Sequence, residues 1–153
     1  MIRTELARRL FAGMWFAIAA VIPVAYYFLR FSNGPLLFAD SPALSAGTPI
    51  LIASLCGLLL GSSILNADDV RTAGQAIMRG LIVALLSYLL LFTVSALILA
   101  FNNDDLAGLV VTWAIIFLMG LLIVGWLIAI IGAIAGWLLY LYRLKVIDGQ
   151  GKV

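Results

Sequence analysis

The sequence predicts an all-α integral membrane protein with four transmembrane helices, and three observations lead there. Of its 153 residues, 65% are hydrophobic and only 10% charged, with a mean hydropathy of +1.22. Soluble domains carry about 45–50% apolar and about 25% charged residues, so this chain has too few polar residues to coat a soluble core. Second, its apolar residues fall into four long runs separated by short polar segments. Third, all but one of its nine Lys and Arg fall on one side of the membrane that those runs define.

The first run, 10–29, suits a crossing of about 30 Å of hydrocarbon, which takes roughly 17–25 residues. Arg3, Arg8 and Arg9 precede it, and no small-x-small cleavage site follows, so it reads as a signal anchor. Pro23 removes a backbone donor and predicts a kink inside it. The loop 30–48 is rich in Ser, Pro, Gly and Ala, and Asn33-Gly34-Pro35 is a turn signal. Thr48-Pro49 pairs a cap with a first-turn proline, which predicts a second span over 49–65. The third span is expected over 81–101.

The fourth run, 106–142, contains no charged residue. At 1.5 Å per residue it is too long for an upright crossing, yet it offers no polar turn at which to fold back. Trp113 and Trp137 lie about 36 Å apart on a helix, as interfacial aromatics of one tilted crossing would. One long tilted fourth helix is therefore expected, within a single domain over 1–153.

With four spans, Arg3, Arg8, Arg9, Arg71, Arg79, Arg143, Lys145 and Lys152 share one face and Arg30 alone takes the other. Splitting the fourth run would move Arg143, Lys145 and Lys152 to the wrong side. The positive-inside rule then places both termini in the cytoplasm, in a membrane of the bacterial inner type.

The residues that are missing narrow the chemistry. Histidine is absent, Cys56 is the sole cysteine, and no ionisable Asp, Glu, Lys, Arg or His lies inside a span. Proton coupling by a buried acid, histidine-based catalysis and thiolate or imidazole metal sites are all disfavoured. No catalytic, cofactor-binding or metal-binding residue is assigned. Nine Lys and Arg against seven Asp and Glu give no basic surface for nucleic acid.

Small residues recur at helical spacing. Ala53, Gly57 and Gly61 mark one stripe, and Gly125, Ala129, Gly132 and Gly136 another. Such stripes let helix backbones approach closely, within this chain's own bundle or against another subunit. Asp68-Asp69 and Asp104-Asp105 each precede a span and suit its positive N-terminal end. Arg71, Gln75 and Arg79 recur every four residues on the amphipathic entry to the third span, where they could meet acidic headgroups or a cytosolic partner.

The expected function is non-enzymatic. The chain would act by helix association as an accessory, assembly or stabilising subunit of a larger membrane complex. Membrane lipids, other subunits or further copies of itself would be its partners. A homo-oligomeric pore or small-solute transporter is the alternative, and an immunity- or exclusion-type inhibitor of another membrane machine comes after it.

Overall fold

A computed structural model describes residues 5–30, 42–66, 70–102 and 108–148. Among them the chain is all helical, and four helices are long and apolar enough to cross a membrane. Helix α1 spans Glu5–Arg30, with Arg9 pairing to Glu5 one turn away on its exposed first turns. Helix α2 spans Pro42–Leu60 and tightens into a 3-10 segment, Gly61–Leu65. Helix α3 spans Ala73–Asn102.

The fourth span is one uninterrupted helical path. It comprises α4 (Leu109–Gly120), a π segment (Leu121–Gly125), α5 (Trp126–Tyr142) and a terminal π segment (Arg143–Asp148). Gly120, Gly125 and Trp126 all keep right-handed helical dihedrals, so the chain does not turn back. The π segment has a geometric consequence. Twelve residues of ideal α-helix from Gly120 to Gly132 would turn about 1,200° and leave the two glycines about 120° apart. Absorbing one extra residue in a wide turn reduces that to about 20°. Gly120 and Gly132 accordingly both face α3, against Tyr88 and Ala84 respectively.

Three helices start earlier than the apolar runs. Pro42, rather than Pro49, occupies the first position of α2, and Pro49 lies inside it. Proline at a first turn has no donor to lose, and Pro42 already meets that need seven residues upstream. Helix α3 begins at Ala73, where Thr72 and Gln75 form a reciprocal cap. The Gln75 backbone N–H donates to Thr72 Oγ1 (3.3 Å), and Gln75 Oε1 accepts from the Arg71 and Thr72 backbone N–H groups (2.8 and 3.4 Å). The aspartates expected to cap helices, Asp68-Asp69 and Asp104-Asp105, lie outside the described residues, as does the turn at Asn33-Gly34-Pro35.

Three short hydroxyl side chains of α3 return to their own helix. Ser87, Thr93 and Ser95 donate to the Val83, Leu89 and Leu91 carbonyls at 2.7–2.8 Å. Such bonds satisfy short polar side chains on an apolar helix without a partner from outside it.

Candidate functional site

Two seams of small residues hold the bundle together. In the first, α1 crosses α2. A Cβ on Gly57 would lie 2.8 Å from Phe16 Cβ and 2.9 Å from the Ala12 carbonyl oxygen, and one on Gly61 would lie 2.8 Å from the Phe16 ring. Gly13 completes this seam, 3.0 Å from the Ser54 carbonyl by the same construction. Ala53 is buried in the same region.

The second seam is tighter. Cβ atoms on Gly80, Gly132 and Gly136 would lie 2.3 Å from the Gly132 oxygen, 2.3 Å from Ala84 Cβ and 2.4 Å from the Ala76 oxygen. Here α3 and α5 meet backbone to backbone, and only hydrogen fits between them. The seam on α3 is Ala76, Gly80 and Ala84, a four-residue repeat that begins inside the charged entry to the span. On α5, Gly132 and Gly136 belong to it. Gly125 is buried, but the atoms nearest a Cβ there belong to Leu121 of its own turn, and Ala129 is half-buried.

Polar and aromatic contacts reinforce the seams at the end where the described chain begins and finishes. Phe11 stacks on Tyr142 with centroids 4.8 Å apart, and Trp15 Nε1 donates to the Ala135 carbonyl at 3.1 Å. Arg143 is 3% exposed and reaches back to the end of α2. Its Nη1 donates to the Val70 carbonyl at 2.6 Å and the Asn66 carbonyl at 3.3 Å, with Ile64 O at 3.5 Å. These oxygens belong to the last turn after α2 and the connection beyond, where carbonyls have no intrahelical donor. The guanidinium also sits 4.9 Å above the Tyr140 ring, whose hydroxyl donates to the Arg71 carbonyl. Sequence counts Arg143 only as one more inside charge, and its burial follows from the helix arriving beside the α2–α3 connection.

No known protein family, curated protein or solved structure matches the chain. What the site can do therefore rests on its own geometry.

Away from the closed end the helices part. Helix α1 packs along α5, while α4 packs chiefly on α3. Tyr88 donates to the Phe117 carbonyl at 2.9 Å, Trp113 stacks on Phe117, and Trp113 Nε1 donates to Thr93 Oγ1 at 3.1 Å. Between α1 and α4 this leaves an apolar cleft of about 540 Å³. Ala20, Pro23, Val24 and Tyr27 of α1 form one wall, and Ile115, Met119 and Val124 of the fourth span the other. Pro49 and Ala53 of α2, with Ser87, Tyr88 and Leu91 of α3, form its floor. Both interior prolines, Pro23 and Pro49, line it.

The residues expected to face headgroups lie together at the start of α3. Arg71 and Gln75 are exposed and Arg79 is half-buried, and a shallow groove runs past Thr72, Gln75 and Arg79. The oxygen of Gln75 is engaged in the helix cap rather than presented outward. Among the described residues, no group of His, Cys, Asp and Glu could hold a metal ion.

Proposed function

We propose that the chain is a non-enzymatic membrane protein that works by helix association, as an accessory or stabilising subunit of a larger complex. It would lie in a bacterial-type inner membrane with both termini cytoplasmic and its fourth helix tilted. The observation that carries this reading is the coverage of the fourth span. Only 6% of the residues in its most apolar stretch are fully buried, against 33% in the third span. Val110, Val111, Ile115, Leu118, Met119 and Leu122 are all exposed on it. In a bilayer such a face meets either lipid or another helix, and packing against a partner adds dispersion contacts that fluid chains give less well.

The small-residue stripes fit the first of the two packings that the sequence leaves open, within the chain's own bundle. Gly57, Gly61, Gly132 and Gly136 sit against α1 and α3, so they build the subunit, and the lipid-facing surface of the fourth helix is left for the partner. Association is favoured over a pore because the Ser87, Tyr88 and Ser95 hydroxyls at the cleft bond to backbone carbonyls and offer no wetted path.

The test is capture of the tagged chain from native membranes in nanodiscs, with mass and co-purifying proteins read together. One partner at fixed stoichiometry, lost in Val111→Trp and Leu118→Trp while the chain stays folded, is the expected result. Capture untouched by both substitutions would overturn the assignment of this face.

A further inference from the structure

We infer that the π segment of the fourth span is a register switch, which the Tyr88 hydroxyl holds in its wide form. Release of that hydroxyl lets Leu121–Gly125 return to regular α-helix and turns α4 by about 100° against α5. The register change is independent of the association reading, and only its consequence for the partner face rests on that reading.

The two halves of the fourth span are seated differently. Helix α5 is held by backbone: a Cβ on Gly80 would lie 2.3 Å from the Gly132 oxygen and 2.7 Å from Gly136 Cα, so this half cannot turn. Helix α4 is held by side-chain tips. A Cβ on Gly120 would lie 2.5 Å from both Phe92 Cζ and the Tyr88 hydroxyl oxygen, and those ring ends can swing aside. The carbonyls around the wide segment also draw on side-chain donors. The Leu121 N–H is shared between the Leu118 and Phe117 carbonyls, and the Tyr88 hydroxyl donates to Phe117 at 2.9 Å. Inside the segment, Trp126 Nε1 donates to the Ile123 carbonyl at 3.2 Å. Where N–H groups reach one residue further back than in an α-helix, a carbonyl is left for another donor to serve. Because π turns are rare and α-helix is the default, the wide form persists through its contacts with α3. The hydrogen bonds among these are Tyr88 to Phe117 and Trp113 to Thr93. The alternative register buries no charge. In a regular helix Leu121, rather than Gly120, lies within about 20° of Gly132. Ala114, Leu118 and Leu121 then replace Trp113, Phe117 and Gly120 on the α3 side, one apolar face for another. Leu118 is exposed on the face given to a partner, so the same turn withdraws it and changes what α4 offers.

The experiment uses the full chain in nanodiscs of phosphatidylcholine and phosphatidylglycerol, on a Cys56→Ala background with nitroxides at Leu118→Cys and Ile134→Cys. Both positions are exposed, one on each side of the segment. Their separation, read by pulsed electron paramagnetic resonance, is expected at about 24 Å in the wide form and about 5 Å longer in the regular one. The parent should give the short distance. Tyr88→Phe should raise the ratio of long to short about fivefold, as for one lost hydrogen bond, and Gly120→Ala should raise it too. Deleting Leu122 removes the extra residue, so it should hold the short distance with or without the Tyr88 hydroxyl. A single short distance in both substituted chains overturns the inference. So does a long population that survives deletion of Leu122, because that would be loosening without a change of register. The purified chain carries no partner, so neither result depends on the association reading.

Discussion

The two ends of the bundle are built on opposite principles. At the end holding Phe11 and Tyr142, hydrogen atoms of Gly80, Gly132 and Gly136 replace side chains, so backbones touch and Arg143 ties the α2–α3 connection to the last helix. At the other end the walls carry ordinary apolar side chains, two interior prolines and a cleft of about 540 Å³. A membrane offers no hydrophobic drive to squeeze helices together, because the lipid is as apolar as leucine. Helices therefore close only where small residues or polar ties give them a reason, and stay apart where neither is present.

The same enlargement at the two ends should give the sharpest contrast. Gly80→Leu would force a side chain into the Gly132 and Gly136 backbone, at a cost at or above the roughly 3 kcal/mol of severe overpacking. Ala20→Leu, which points into the cleft, should cost less than about 0.5 kcal/mol or stabilise slightly. Denaturant titration in mixed micelles reads both.

Single-residue deletions in the fourth span come next. Deleting Leu122 from the π segment should restore a regular α-helix and leave Gly120 and Gly132 facing α3. Deleting Ile134, which lies between Gly132 and Gly136 and outside the interval from Gly120 to Gly132, should rotate Gly136 by about 100° relative to Gly132 and abolish folding. Equal tolerance of the two deletions, judged by monodisperse yield and helicity, would remove the register argument.

Arg143→Met should cost about 1–3 kcal/mol, since it strands the Val70 carbonyl, while the Asn66 carbonyl keeps the Val70 N–H as a donor. Its effect should be local, raising amide exchange in 61–72 before the rest of the bundle. The smallest expected loss is about 1 kcal/mol for Gln75→Ala, which opens the reciprocal cap on α3.

Much of this fold is legible in the sequence because lipid imposes a simple rule: a spanning backbone must satisfy itself, so length and apolarity alone mark the helices. The continuity of the fourth span was readable too, from a run that offers no polar turn at which to fold back. Helix starts were not, since Pro42 and Thr72 lie outside the apolar runs and are recognised only by the turns they cap. The π segment was also hidden, because Leu121–Gly125 differs in no obvious way from its neighbours and its reason lies in a partner helix. The seams were half visible. Gly57, Gly61, Gly132 and Gly136 stand out by spacing, but spacing does not say which helix they meet. Gly80 was masked by Arg79 beside it. The cleft has no sequence signature, being the space that Ala20, Pro23 and Pro49 decline to fill.

The central claim, one closed end and one open end, is tested most directly by paired cysteines in native membranes, on a Cys56→Ala background. Phe11→Cys with Tyr142→Cys should oxidise to a disulfide almost completely. Val24→Cys with Met119→Cys, on facing walls of the cleft, should resist direct oxidation and join only through a longer bis-maleimide. Equally rapid disulfide formation at both pairs would mean that α1 and α4 close on each other, and the account of the cleft would be wrong.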